Sequence, residues 1–334
     1  MSSFLDRTIA RASADKQTIV LPEGNDPRTL EAAAKARDLG IANLVVLADK
    51  AAVAASSLDL SGIKFIDPAT SPDKQRYAET LFELRKSKGL TMDEALKLAE
   101  DVLYYGVIMV YLDEADGMVA GAAHATADVL RPCLQILKTK AGAKLVSAFF
   151  VIVVPDCEYG KQGAFIFADS GLVQYPNAEE LANIAISSAD SFQNLLEAEP
   201  VVAMLCHSTK GSAKGPSIDK VVEAVQIAQK TAPELKIDGE FQLDAAIIPA
   251  IGASKAPGSE TAGKANVLVF PDLDSGNIAY KLAQRLAKAE AYGPVTQGIA
   301  KPVNDLSRGA SADDIVGVIG ITAVQSIGRK AALK

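Results

Sequence analysis

Residues 17–48 read QTIVLPEGNDPRTLEAAAKARDLGIANLVVLA, and this stretch determines the fold class. Thr18–Leu21 is a short apolar and β-branched run, which predicts a buried strand. Asp26 is a predicted N-cap, and the alanine-rich segment after it predicts a helix that stops at Gly40. Residues 43–48 predict the next strand. A strand, a helix and a second strand in this order are typical of a parallel α/β sheet.

The same alternation continues to the end of the chain. Further strands are predicted at residues 107–111, 145–154, 163–168, 201–206, 245–249 and 267–270. Helices are predicted at residues 72–88, 91–101, 178–196, 220–231 and 275–291 and from residue 312 onward. The 334 residues are enough for about two domains. The pattern therefore predicts an α/β protein of two domains with largely parallel sheets.

Charge and composition exclude several classes of function. The chain has 34 Lys and Arg against 41 Asp and Glu, a net charge of −7, and no basic block, so nucleic-acid binding is not expected. The longest apolar run, residues 102–112, is shorter than the ~20 residues that cross a membrane. No signal-peptide core follows the N-terminus, which predicts a cytoplasmic protein. Three cysteines and two histidines form neither a disulfide framework nor a zinc pattern, which excludes a His-rich metal site. A carboxylate site for Mg²⁺ stays open, but no metal-binding residue is predicted.

Two small-residue loops precede predicted helices and are candidates for binding an anion. The first, residues 121–128, contains His124 and Thr126, and the second is Ser275-Gly276-Asn277. The first turn of a helix offers backbone N–H groups without partners to a phosphate. Each loop taken alone is also explained as a helix cap, and His124 alone is explained as a hydrogen-bonding loop residue.

Residues 304–311, NDLSRGAS, place the Ser307 hydroxyl beside the Arg308 guanidinium in a polar turn before the last helix. Arginine recognises phosphate through planar, bidentate hydrogen bonds. Asp314 lies three residues after Ser311, which is the spacing of a capping box. From chemistry alone, Asp314 is equally well explained as a helix cap and as a catalytic base.

At these residues the sequence resembles the phosphate acetyltransferase (phosphotransacetylase) family. The resemblance covers essentially the whole chain through residues 121–128, 130–132, 208–212, 255–258, 263–273, 275–277 and 301–309. It implies reversible acetyl transfer between acetyl phosphate and coenzyme A, a homodimer, and no permanently bound cofactor, since coenzyme A is a substrate. It also implies two three-layer α/β domains of the isocitrate/isopropylmalate dehydrogenase type with a cleft between them. The expected domains are residues 1–141 plus 294–334 and residues 142–293.

The resemblance also implies roles for individual residues. Ser307, Arg308 and Asp314 match the family's catalytic residues, and Arg131 and Arg85 match arginines that bind substrate. Cys157 matches a cysteine near the site that is not taken as a nucleophile. The remaining predicted substrate-binding residues are Thr126, His124, Ser275, Gly276, Asn277, Tyr280 and Lys281.

These roles suggest direct transfer. Asp314 would accept the thiol proton, Ser307 would donate a hydrogen bond to the carbonyl oxygen, and Arg308 with Arg131 would hold the phosphate. Three alternatives stay open: the same chemistry on a longer acyl group, an NAD(P)-dependent decarboxylating dehydrogenase with an Asp metal cluster, and a non-catalytic ligand-binding domain. Ala310 replaces a cysteine that many members carry, and residues 170–174 also depart from the family pattern, which leaves the acyl-chain preference open.

Overall fold

A computed structural model describes residues 4–333, and their contacts divide them into two units. The first unit comprises the residues up to Ala141 together with those from Ile299 onward, and the second unit comprises Gly142–Gly298. The second boundary lies after Gly298 rather than at residues 293/294. The reason is that the strand Glu290–Gln297 pairs along its length with Ser147–Val153, which belongs to the second unit.

The first unit contains a five-stranded parallel sheet in the order β11-β4-β1-β2-β3. Its strands are β1 (Thr18–Leu21), β2 (Asn43–Leu47), β3 (Lys64–Ile66), β4 (Gly117–Ala120) and β11 (Val303–Asp305). Its helices are α1 (Phe4–Ala14), α2 (Pro27–Asp38), α3 (Lys50–Ala55), α4 (Lys74–Arg85), α5 (Met92–Leu98), α6 (Val102–Tyr111), α7 (Thr126–Pro132) and α14 (Ala312–Ala332). A 3₁₀ turn, Lys86–Lys88, follows α4, and a π-helical turn, Cys133–Leu137, follows α7.

Helices cover both faces of this sheet because alternate side chains of each strand point to opposite sides. Val20, Leu47 and Met118 pack into one hydrophobic cluster with α4, α5 and α6. On the other side, a side chain at Gly117 would collide with Thr322 of α14, so this close approach requires glycine. The first unit therefore has three layers.

The second unit contains a six-stranded mixed sheet in the order β10-β5-β6-β9-β7-β8. Its strands are β5 (Ser147–Val153), β6 (Ala164–Ala168), β7 (Val201–Leu205), β8 (Lys236–Phe241), β9 (Val267–Val269) and β10 (Glu290–Gln297). Its helices are α8 (Tyr159–Gln162), α9 (Ala178–Leu196), α10 (Pro216–Thr231), α11 (Leu243–Ile247), α12 (Pro249–Lys255) and α13 (Leu273–Leu286). β5 runs antiparallel to β6 and β10, and the other pairs are parallel. α9, α10, α11 and α13 pack against the sheet. α11 and α13 contact it at a hydrophobic cluster that contains several buried phenylalanines.

The predicted strand at residues 107–111 is wrong, because this segment is the second half of the helix α6. Asp101 caps the helix by accepting hydrogen bonds from the N–H groups of Leu103 and Tyr104, at 2.9 and 3.0 Å. At its C-terminal end, the ammonium group of Lys301 donates to two carbonyl oxygens of the last turn. Residues 105–110 are all buried, so the helix shows no apolar period that would distinguish it from a buried strand.

The predicted strand at residues 245–249 is also wrong. These residues belong to α11 and to the start of α12. The strand that pairs with β7 is instead β8, at the edge of the sheet. β8 reads KIDGEF, and its charged residues and glycine obscure the strand pattern.

No helix among residues 4–333 combines the length and the apolar character that a membrane-spanning segment needs.

Candidate active site

The Ser307-Arg308-Gly309 turn leaves the sheet of the first unit at the carboxyl end of β11. Before it, Asp305 is buried, and the N–H of Leu306 donates to the carbonyl of Ala120 at 2.7 Å. Residues 307–309 are then exposed, and the N–H of Ala310 donates to the carbonyl of Ser307 at 2.9 Å, which closes the turn. Ligands of open α/β sheets bind beyond the carboxyl ends of the strands. The turn thus presents a hydroxyl and a guanidinium where a ligand is expected.

The Arg308 guanidinium makes no hydrogen bond or ion pair to any residue that the structure describes. Its side chain is exposed, and among residues 4–333 only its backbone carbonyl has a partner. An unpaired guanidinium with five donors is suited to hold a phosphate, because the planar fork matches two phosphate oxygens.

Asp314, in the first turn of α14, caps that helix through one carboxylate oxygen. Oδ2 accepts hydrogen bonds from the backbone N–H and the hydroxyl of Ser311, at 2.9 and 2.7 Å. The hydroxyl oxygen of Ser311 accepts in turn from the N–H of Asp314 at 3.2 Å. The second oxygen, Oδ1, has no partner within residues 4–333, and the side chain is exposed. The same carboxylate can therefore cap the helix and receive a proton.

Residues 121–124, the first half of the loop 121–128 that was predicted as a candidate anion site, surround a carboxylate of the protein itself. Glu23 follows β1 and is only 4% exposed. Its two oxygens accept four backbone N–H groups, those of residues 121–124, at 2.8–3.0 Å. His124 Nδ1 lies 2.7 Å from the same carboxylate. His124 is thus bound to Glu23, a residue that the sequence analysis missed because its partners lie about 100 positions away in the chain.

Thr126 connects this loop to the end of β11. Its hydroxyl donates to Asp305 Oδ2 at 2.6 Å, while Asp305 Oδ1 is buried without a partner in the described chain. The pKa of Asp305 is raised to about 6, mainly because the carboxyl group is buried. The hydrogen bond from Thr126 lowers this pKa, and the negative charge of Glu23 raises it further. Gly121 has φ +110°, and a side chain there would overlap the Asp305 carboxylate. Five predicted residues, Ser307, Arg308, Asp314, His124 and Thr126, therefore belong to adjoining segments of the first unit.

Arg131 and Arg85 both belong to helices of the first unit, α7 and α4. Arg131 is in α7, its side chain is 58% exposed, and it forms an ion pair with Asp128 at 3.2 Å. Burial raises the pKa of Tyr104, and the positive charges of Arg131 and Arg85 both oppose that rise. An exposed ion pair contributes little stability, so Arg131 can exchange Asp128 for an anionic ligand.

The predicted Ser275-Gly276-Asn277 segment lies in the second unit, in the first turns of α13. Asp272 caps this helix by accepting the N–H and the hydroxyl of Ser275, at 2.9 and 2.8 Å. Gly276 packs so closely on Ser170 that no side chain fits there, and the Asn277 amide donates to the Ser170 carbonyl at 3.4 Å. Ser275 is therefore engaged in capping.

Tyr280 and Lys281 follow in the same helix. The Tyr280 ring stacks on Phe150 with centroids 3.9 Å apart, and Lys281 Nζ lies 5.7 Å from the centroid of the Tyr280 ring. Cys157 is half-buried in the second unit and is a free thiol. Among the residues that the structure describes, no group of three His, Cys, Asp or Glu side chains could hold a metal ion.

Known proteins resemble this chain over nearly its whole length. A family model described as phosphate acetyl/butaryl transferase matches residues 3–323. A phosphate acetyltransferase from Acetivibrio thermocellus is 58% identical over 326 residues, which are 97% of this chain and 98% of that protein. The crystal structure of a phosphotransacetylase from Streptococcus pyogenes has a TM-score of 0.91 at 43% identity, covering 98% of this chain and 99% of that one.

A 4-hydroxythreonine-4-phosphate dehydrogenase from Klebsiella pneumoniae has a TM-score of 0.53 at 14% identity, covering 93% of this chain and all of that one. At this identity the likeness shows the fold alone, and it confirms the predicted dehydrogenase-like α/β class. The near-complete match to the family model and to curated relatives shows that the chain is a transferase and belongs to the phosphate acetyl/butaryl transferase family.

Proposed function

We propose that the chain transfers an acetyl group reversibly between acetyl phosphate and coenzyme A, by direct attack of the thiolate in a ternary complex. The observation that carries this proposal is the Ser307–Arg308 turn, where an exposed hydroxyl and an unpaired guanidinium precede the partly free carboxylate of Asp314. The names of the relatives supply the substrates, since they are phosphate acetyltransferases at up to 58% identity.

The first requirement of the reaction is a proton acceptor for the thiol. A free thiol has a pKa near 8.5, so only about 3% of coenzyme A is thiolate at pH 7. In the proposed step, Asp314 Oδ1 takes the thiol proton while sulfur forms its bond to the acetyl carbon. Oδ1 is suited to this because Ser311 occupies only the other oxygen.

The second requirement is stabilisation of charge on the acetyl and phosphate oxygens. As the C–S bond forms, the carbonyl oxygen becomes negative, and the Ser307 hydroxyl donates a hydrogen bond to it. The carbon–oxygen bond to phosphate then breaks, and phosphate leaves with the electron pair. Arg308 and Arg131 bind the phosphate oxygens, Arg85 contributes a further positive charge, and no acyl-enzyme forms.

Two measurements test this proposal. The purified protein should form acetyl-CoA from acetyl phosphate and coenzyme A, and parallel assays with butyryl phosphate measure the acyl-chain preference. Labelled phosphate should exchange into acetyl phosphate only when coenzyme A is present. Exchange without coenzyme A would indicate an acyl-enzyme and would contradict direct transfer.

The proposal includes a homodimer. α13 carries three large apolar residues four positions apart, Ile278, Leu282 and Leu286, which are 58%, 51% and 77% exposed. This spacing places them on one face of the helix, where a second copy could cover them.

Light scattering should give the mass of a dimer for the wild type and of a monomer for Leu282→Glu. Leu39→Glu, at the end of α2 in the first unit and likewise 51% exposed, is the control and should stay dimeric. A monomeric wild type would contradict the proposal.

The proposal also includes a cytoplasmic location and no permanently bound cofactor. The three cysteines of the chain are free, as expected in a reducing compartment. Cell fractionation tests the location, and activity that survives dialysis against a chelator tests the absence of a cofactor.

A further inference from the structure

Arg28, in the first turn of α2, uses all five of its side-chain N–H donors within the first unit. Nε and Nη2 bind the two oxygens of the Asp26 carboxylate at 3.1 and 2.7 Å. Nη1 donates to the carbonyl oxygens of Arg308 and Ala310 at 2.8 and 2.9 Å, and Nη2 donates to that of Ala122 at 2.8 Å. One guanidinium therefore connects the start of α2, the loop of residues 121–124 and the turn that contains Ser307 and Arg308.

These bonds are the main external restraint on that turn. Within it, the N–H of Ala310 donates to the carbonyl of Ser307, and the N–H of Gly309 lies 3.3 Å from the Ser307 hydroxyl. In the described part of the chain, Arg28 alone makes hydrogen bonds to residues 307–310 from outside them. Because residues 307–309 are exposed, little packing substitutes for these bonds.

Asp26 holds the guanidinium in this orientation. Its carboxylate accepts the N–H of Arg28 as the N-cap of α2 and also binds the guanidinium in bidentate fashion. Such a pair restricts rotation of the arginine, because both members are planar. The Arg28 side chain therefore extends from the first turn of α2 in one fixed direction.

We propose that Arg28 is a positioning residue for acyl transfer. By binding the carbonyls of Arg308 and Ala310, it fixes the backbone from which the Ser307 hydroxyl and the Arg308 guanidinium project. The inference rests on the proposed function, because it assigns Arg28 to the same turn. Misplacement of a reacting group by about 1 Å can cost about a hundredfold in rate.

The test compares two arginines of α2. Arg28→Lys keeps the charge, but one ammonium group cannot reach Asp26 and three carbonyls, so kcat should fall by about ten- to a hundredfold with the Michaelis constant for coenzyme A changed less than threefold. Arg37→Lys is the matched control. Arg37 also binds a neighbouring carboxylate and two carbonyls, those of Asp59 and Ser61, but none in the turn, and kcat should stay within twofold.

A combined variant distinguishes positioning from a general loss of stability. If Arg28 acts through the turn, adding Arg28→Lys to a protein that already carries Ser307→Ala and Arg308→Lys should lower kcat by less than threefold, because both groups being positioned are already altered. Hydrogen exchange of residues 306–311 should also be faster in Arg28→Lys than in Arg37→Lys. If Arg28→Lys does not fold, Asp26→Asn provides the same test, since Asn still caps α2 but holds the guanidinium less firmly.

The outcomes separate the two proposals. A wild-type protein that forms no acetyl-CoA would overturn the proposed function. In that case, hydrogen exchange of residues 306–311 would still test whether Arg28 holds the turn. An active wild type with Arg28→Lys indistinguishable from Arg37→Lys in kcat and exchange would overturn the positioning role alone. Independent, multiplicative effects of Arg28→Lys and of the combined Ser307→Ala and Arg308→Lys changes would also overturn it.

Discussion

Replacing Asp314 by asparagine separates its two possible roles, as helix cap and as proton acceptor. In the capping box, Oδ2 accepts two hydrogen bonds from Ser311, and Oδ1 has no partner in the described chain. Asparagine has the same shape and one carbonyl oxygen that can accept both bonds. It cannot take a proton from a thiol under these conditions. Asp314→Asn therefore preserves most of the cap and removes the base.

The two roles predict effects of very different size. Loss of the negative charge in the first turn of α14 should cost about 0.3–1 kcal/mol of unfolding free energy. For a unit of this size, 1 kcal/mol lowers the melting temperature by about 2–4 °C. Loss of a positioned proton acceptor should instead lower kcat by about 10²–10⁴-fold. Michaelis constants should change little, because the side-chain volume is unchanged.

The assay is turnover as a function of pH, with melting temperatures measured in parallel. Raising the pH from 7 to 8.5 increases the thiolate fraction of coenzyme A about fifteenfold, so higher pH should partly restore Asp314→Asn. Glu94→Gln is the control, because Glu94 forms the same capping box with Thr91 at the start of α5, with bonds of 2.8–3.2 Å. The Glu94→Gln variant should have a lower melting temperature and the same kcat as the wild type. If Asp314→Asn behaves in the same way, Asp314 is only a cap and the mechanism is wrong.

Other residues give further expected outcomes. Arg308→Lys should lower kcat and raise the constant for acetyl phosphate, because lysine cannot form the bidentate pair; wild-type constants would contradict its role. Arg131→Ala should weaken the use of acetyl phosphate or phosphate, and a change in the coenzyme A constant alone would assign Arg131 to the other substrate. Cys157→Ala should keep most activity, whereas a folded but inactive variant would favour an acyl-enzyme. The pKa of Asp305 is about 6 in the folded state and near 3.9 in the unfolded state, so the folded state binds the proton more tightly. This proton contributes its full share to the free energy of unfolding only below pH 4. That contribution, up to about 3 kcal/mol, should be lost as the pH rises from 4 through 6, and urea unfolding of Asp305→Asn should lack this loss.

Local signals predicted much of the fold. The strand Thr18–Leu21, the cap at Asp26 and the long helix Ala178–Leu196 agree with the structure, because strand runs and caps depend on residues close in the chain. The mixed pairing of the second sheet was not predictable, since antiparallel and parallel partners are chosen only when the strands meet. Residues 107–111 were assigned wrongly because a helix buried on all sides has no apolar period.

The sequence by itself determined the class of fold, the family resemblance and the candidate residues Ser307, Arg308 and Asp314, all within eight positions of one another. Only the tertiary structure decided which distant residues bind the segments that form the site. Glu23 binds a loop about 100 positions away, and Arg28 binds the turn about 280 positions away. Such contacts leave no local pattern, because hydrogen bonds between distant segments form only when the sheet brings the ends of β1, β4 and β11 to one edge.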